Sequence, residues 1–151
     1  MTAVDVPAVP RVLIAESDPW VRETLSELVL GVRGDIELEI CSDGKQAVAF
    51  LKKYTPELII AARELPVLDG LTLLRGARGL KRQPAIPFIL ISNRSDSASV
   101  REVLPLAPTA YLTKPLDIEK LRQRVESILL ACPVPGAAPA LAPGETLAKF
   151  L

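Results

Sequence analysis

Pro56-Glu57-Leu58-Ile59-Ile60-Ala61-Ala62 (PELIIAA) sets an uninterrupted apolar run behind a proline, then breaks into the turn-rich stretch Arg63–Gly70 (RELPVLDG). A short apolar run bounded by turn signals reads as a strand buried on both faces, the kind found inside parallel sheets. Upstream, Arg11–Ala15 (RVLIA) has the same character and runs into Glu16-Ser17-Asp18-Pro19. Asp18 suits a helix N-cap and Pro19 a first helical residue. Val21, Leu25, Leu28 and Val29 then recur at helical spacing, and Gly31 and Gly34 are expected to close that helix. Ile36–Cys41 (IELEIC) alternates like a strand with one wet face, and Ser42-Asp43-Gly44 turns into a helix that Pro56 stops. Downstream come a helix with Leu71, Leu74 and Ala77, then a strand Ile86–Ile91 (IPFILI). A helix capped by Ser95 or Asp96 and ending before Pro105 follows, then a strand Thr109–Thr113 and an amphipathic helix Asp117–Leu130.

Strand and helix thus alternate through five units, which predicts a five-stranded parallel sheet with helices on both faces. Right-handed crossovers leave few topologies, and 2-1-3-4-5, the flavodoxin-like order, is the common one. In such sheets the functional crevice lies at the carboxyl ends of the strands. The domain reading is an N-terminal extension over 1–10, one α/β domain over 11–131, and a Pro/Ala-rich tail over 132–151. The tail carries Pro133, Pro135, Pro139 and Pro143, so it reads as a semi-rigid tether. Its end offers Leu147, Phe150 and Leu151 as anchors for a docking contact, against the plainer reading of a frayed terminus.

Composition removes whole classes of function. The 151 residues are 49% apolar and 24% charged, with 18 basic and 18 acidic side chains. That is a globular composition, and its neutrality argues against binding nucleic acid or anionic membrane by bulk charge. Histidine is absent altogether. Ser-His-Asp and Cys-His chemistry and His-ligated zinc fall with it. Two cysteines, Cys41 and Cys132, are too few for a disulfide scaffold or a Cys-based metal centre. No signal peptide or membrane-spanning run is read, so the expected location is cytoplasmic.

Five pieces at the strand ends fall in register: Leu13–Asp18 (LIAESD), Pro56–Ala62, Pro66 with Asp69-Gly70, Ile91-Ser92, and Tyr111–Pro115 (YLTKP). Together they resemble the CheY-like receiver domains of bacterial response regulators over roughly Arg11–Leu130. The resemblance implies a pocket with acidic residues after the first strand and an aspartate ending the third. These hold Mg²⁺, and the aspartate is the nucleophile that becomes an aspartyl phosphate. A Ser/Thr after the fourth strand and a Lys after the fifth bind the phosphoryl oxygens.

This chain departs from that pattern where the chemistry sits. The phosphoacceptor position is Ala62, whose methyl group attacks nothing, and the acidic pair is Glu16-Ser17. One carboxylate from the first strand and none from the third make a poor Mg²⁺ site, with Asp18 able to help only in a different geometry. The reading is therefore a pseudo-receiver with a vestigial pocket of Glu16, Ser17, Asp18, Ala62, Ser92 and Lys114, with no metal, no cofactor and no catalytic residue. Lys114 is expected to pair with Glu16. Glu64 as a displaced nucleophile, Ser17 or Ser92 as kinase targets, and Arg63 holding a small anion with Lys114 are alternatives. Trp20 sits by the same rim, as a lid, as a partner contact, or packed on the loop.

Function then moves to a surface. Tyr111 matches the aromatic that in receivers turns between buried and exposed states. The face around it, with Arg101, Glu102, Lys120, Arg122, Arg124 and Glu126, is the one family members use to bind partners and themselves. Thr109 and Ala110 replace the acidic pair of the receivers that dimerise by symmetric salt bridges, and Glu126 stands where those carry arginine. That charged dimer is not expected, while a different homodimer stays open. The expectation is a phosphorylation-independent adaptor or scaffold that binds protein, not nucleic acid or membrane. The alternatives are the receiver part of a transcription regulator without its output domain, and a small-anion sensor.

Overall fold

The computed structural model describes residues 9–81 and 83–132. Strands β1 (Arg11–Ala15), β2 (Glu37–Cys41), β3 (Leu58–Ala62), β4 (Phe88–Ser92) and β5 (Ala110–Thr113) form one sheet in the order β2-β1-β3-β4-β5. Every neighbouring pair is parallel. Helices α1 (Pro19–Val32), α2 (Gly44–Leu51), α3 (Gly70–Arg78), α4 (Ser97–Val103) and α5 (Ile118–Leu129) make the crossovers. The predicted α/β class and strand order are those observed.

Strand alternation sorts the core into two layers. Val12, Ile14, Leu58, Ile60, Ile89 and Ile91 face α1 and α5. Leu13, Ala15, Ile59, Ala61, Phe88 and Leu90 face α2, α3 and α4. The three central strands are buried on both sides, which is why their sequences run apolar without alternation. At the sheet edge, β2 alternates, and Ile40 is 44% exposed while Cys41 is buried. Burial pushes the Cys41 thiol up to about 12, so it is a poor nucleophile.

The boundaries differ from expectation in instructive places. β4 starts at Phe88 because Pro87 has no N–H for the ladder, although its carbonyl still accepts from Ile59 N–H at 3.0 Å. α1 runs through Gly31 and is capped by Arg33, whose N–H donates to the Val29 carbonyl at 3.1 Å. The Arg33 side chain, buried, reaches the carbonyls of Leu129 and Cys132 at 2.9 Å each and ties the end of α5 to that of α1. Its guanidinium also grips Asp35 at 2.6 Å, which holds the Asp35 carboxyl below the usual range. After α4 the chain passes Pro105 in a 3-10 turn, Leu104–Leu106, and leaves it at Ala107 with φ 46°. Arg78 ties this connector to the approach to β4, donating to the carbonyls of Leu106 and Ala107 at 2.9 Å each and to that of Ile86 at 2.7 Å.

Each of the five helices opens on an aspartate. Asp18, Asp43, Asp69, Asp96 and Asp117 accept from the backbone N–H of Trp20, Gln46, Thr72, Ser99 and Lys120. These bonds satisfy donors that a helix start leaves orphaned. Asp96 also accepts the Ser99 hydroxyl, and the two bonds hold its carboxyl below the usual range. Residues 133–151, with the expected tail contacts Leu147, Phe150 and Leu151, and residues 1–8 of the N-terminal extension lie outside the described residues.

Candidate functional site

The carboxyl ends of the strands converge at one end of the sheet, because all five strands run the same way. Glu16 follows β1, Ala62 ends β3, Ser92 ends β4 and Lys114 follows β5. Glu16 is only 2% exposed. A carboxylate so buried needs partners, and Glu16 has two: Lys114 Nζ at 3.1 Å on Oε1 and the Asp18 amide at 3.1 Å on Oε2. The predicted pairing of Lys114 with Glu16 is present. Lys114 is fixed from the other side as well, its N–H donating to the Ser92 carbonyl at 2.9 Å.

The remaining residues of the predicted pocket are divided among other tasks. Asp18 is exposed and caps α1, and Ser17 is exposed on the turn, its carbonyl accepting from Arg22 at 3.1 Å. Ala62 is buried, with a methyl group at the end of β3. The donor set therefore does not fit Mg²⁺. A hard dication needs several charged oxygens, and here one carboxylate is neutralised by Lys114 while another caps a helix. Among the described residues no three His, Cys, Asp or Glu side chains gather as a metal-binding group.

Arg63 and Glu64 behave differently from expectation. Arg63, 7% exposed, reaches α4, where it donates to the Ser99 carbonyl at 2.8 Å and pairs with Glu102 at 3.3 Å. Its guanidinium is thus engaged with α4, and Glu102 is a tie to the residue after β3 as much as a surface charge. Glu64 crosses to β4, accepting the Ser92 hydroxyl on Oε2 at 2.8 Å and the Asn93 amide on Oε1 at 3.0 Å. The sequence offers Glu64 only as a displaced nucleophile. Its sequence position shows that it lies in a loop, not which strand end the loop folds over.

The surface residues group loosely. Tyr111 is half-buried, its ring packed against the layer of α3 and α4, and its hydroxyl donates to the Arg94 carbonyl at 2.6 Å. Arg101, Lys120 and Arg124 are exposed, and Arg122 is half-buried with Nε 3.6 Å from Glu119. Trp20 is 78% exposed, so it is not packed on the loop as one reading had it. With Val21, Thr24, Lys114, Pro115, Leu116 and Ile118 it lines an open groove of about 320 Å³. No helix of the described residues is long and apolar enough to cross a membrane.

Known proteins match this frame. The family model described as the response regulator receiver domain covers residues 12–126. The probable C4-dicarboxylate response regulator DctR of Priestia megaterium is 31% identical over 115 residues, covering 76% of this chain and 50% of that protein. The gliding motility regulatory protein of Myxococcus xanthus is 33% identical over 122 residues, 78% of this chain but 15% of its own length. The chain thus spans half or less of these relatives. Among solved structures, the receiver domain of a signal transduction histidine kinase from Syntrophus aciditrophicus superposes with a TM-score of 0.72 at 30% identity, covering 81% of this chain and 91% of that one. The receiver domain of Francisella response regulator 1452 gives 0.69 at 28% identity, covering 80% and 97%.

Proposed function

The chain belongs to the response regulator receiver domain family, and from that premise we propose that it is a pseudo-receiver which signals by binding protein, without phosphorylation. Ala62 carries the reading. It ends β3 at the mouth of the sheet, where phosphoryl transfer would need a carboxylate nucleophile, and a methyl group has no lone pair to attack phosphorus. The commitment of Lys114 to Glu16, and of Ser92 to Glu64, supports the same reading, because the two donors that would bind phosphoryl oxygens are already engaged. The domain over 11–131 then acts as an adaptor or scaffold through the face around Tyr111, Arg101, Lys120, Arg122 and Arg124. The segment from 132 onward serves as its tether.

Capture of partners from the native cell tests this. The full chain and a version ending at Ala131 are expected to retain the same partner, and Tyr111→Ala with Arg122→Ala is expected to weaken it at least tenfold. A partner lost with the truncation moves recognition to the tail. Retention that requires prior phosphorylation overturns the reading. A second reading draws on the length of the relatives, since response regulators such as DctR extend well beyond the part matched here. On that reading the chain is the receiver part of a transcription regulator whose DNA-binding portion lies outside it. A longer open reading frame carrying a helix-turn-helix supports it.

A further inference from the structure

Ser92 is completely buried, and its hydroxyl and the next amide, that of Asn93, point at the two oxygens of one carboxylate. Two donors from consecutive residues, converging on one anion, are a small receptor for an oxyanion. The carboxylate belongs to Glu64, which is itself exposed and enters from the loop after β3. The contacts continue beyond it. Ser92 Oγ accepts from the Arg94 amide at 2.9 Å, and the Arg94 carbonyl accepts from the Tyr111 hydroxyl at 2.6 Å. The run Glu64–Ser92–Arg94–Tyr111 therefore links the loop after β3 to the face around β5. Arg63, one residue earlier, holds the other end of the same segment through Ser99 and Glu102.

We propose that the Ser92 hydroxyl and the Asn93 amide form an oxyanion site whose resident ligand is the tethered carboxylate of Glu64. By filling the site, Glu64 fixes Arg94 and Tyr111 in one arrangement with no free ligand. Glu64 acts as a positioning residue, not a catalytic one. A short tether gives the carboxylate an effective concentration on the order of millimolar or above, so free anions at lower concentrations do not displace it. With the carboxylate gone, the same two donors take a small oxyanion such as inorganic phosphate. This deepens the proposal that the chain works without phosphorylation, and rests on it for the meaning of a fixed face.

The test uses the full chain, no phosphodonor and no partner, so its outcome is separate from that of the function proposed above. Inorganic phosphate is titrated into the parent, Glu64→Ala and Glu64→Gln, following the amide resonances of Asn93 and Arg94 and the ring resonances of Tyr111. In Glu64→Ala, phosphate is expected to bind at least about tenfold more tightly than in the parent. At saturation it is expected to return Tyr111 toward its position in the parent. The near-isosteric Glu64→Gln keeps one acceptor and should show a smaller gain, and it serves as the readout should Glu64→Ala fail to fold. Equal phosphate binding by the parent and the folded variants would overturn the proposal. So would variants in which Tyr111 does not move on loss of the carboxylate.

Discussion

The double variant Ser17→Asp/Ala62→Asp is expected to bind Mg²⁺ at least about tenfold more tightly than the parent. β1 and β3 are neighbours, with Ala15 opposite Ala61, so the register carries Glu16 alongside Ala62 at roughly one strand spacing, about 4.8 Å, with Ser17 next along the chain. Adding carboxylates at 17 and 62 beside Glu16 supplies the charged oxygens that a hard dication needs. The single Ala62→Asp variant is expected to do worse. It places a charge at a position only 2% exposed, near a carboxylate already buried, and costs about 3 kcal/mol for want of a compensating cation. Added Mg²⁺ should restore stability in the double variant. Trp20, the one tryptophan, stands two residues beyond Asp18 and reports binding by fluorescence. Equal Mg²⁺ affinity in the parent would show that the missing carboxylates are not what limits the site.

A second large effect is expected from Gly70→Ala. Gly70 is the first residue of α3 and donates its N–H to the Arg63 carbonyl at 2.9 Å. A Cβ there would collide with the Ala62 carbonyl oxygen and lie 2.8 Å from both Ala62 C and Arg63 Cα. These are backbone atoms at the end of β3 and cannot swing aside, so the cost should reach about 3 kcal/mol, high in the range for overpacking. The same displacement would disturb the loop that carries Arg63 and Glu64. Gly31→Ala is the matched control. It lies inside α1 with nothing within 4 Å of a Cβ, and should stabilise by roughly 0.5–1 kcal/mol. Urea unfolding measures both through the shift in midpoint at constant slope. An unchanged midpoint for Gly70→Ala would mean that the loop gives way freely.

The fold was legible because burial writes itself into the strands. β1, β3 and β4 are covered on both faces, so Val12–Ala15, Leu58–Ala62 and Phe88–Ile91 read apolar throughout, and the alternation of Ile36–Cys41 marks an edge. The aspartate caps were legible for a similar reason, since capping is local: Asp18 before Pro19 can be read without a tertiary structure. The exits of helices were less so. Gly31 is a plausible stop by propensity, but the grip of Arg33 on Asp35, Leu129 and Cys132 carries α1 past it.

The site was legible in part. Glu16, Ala62, Ser92 and Lys114 lie just past or at the ends of their strands, where parallel topology alone gathers them, and the Glu16–Lys114 pair followed from charge. Arg63 and Glu64 were not legible in their roles. Both lie in a loop whose path is set by the close approach of Gly70 to β3 and by contacts with residues some 30 positions away, 28 from Glu64 to Ser92 and 36 from Arg63 to Ser99. Nothing in local periodicity encodes such partners. Arg78 is a further case, because its targets are carbonyls of the Pro105 turn and of the approach to β4, and any residue type supplies a carbonyl.

The most direct test of the central claim is the intact mass of the full chain after incubation with acetyl phosphate and Mg²⁺. The account predicts an unchanged mass, because Ala62 offers no nucleophile and the donor set offers no metal site. One added phosphate mapped to the end of the sheet, on Glu64, Ser17 or Ser92, would contradict it.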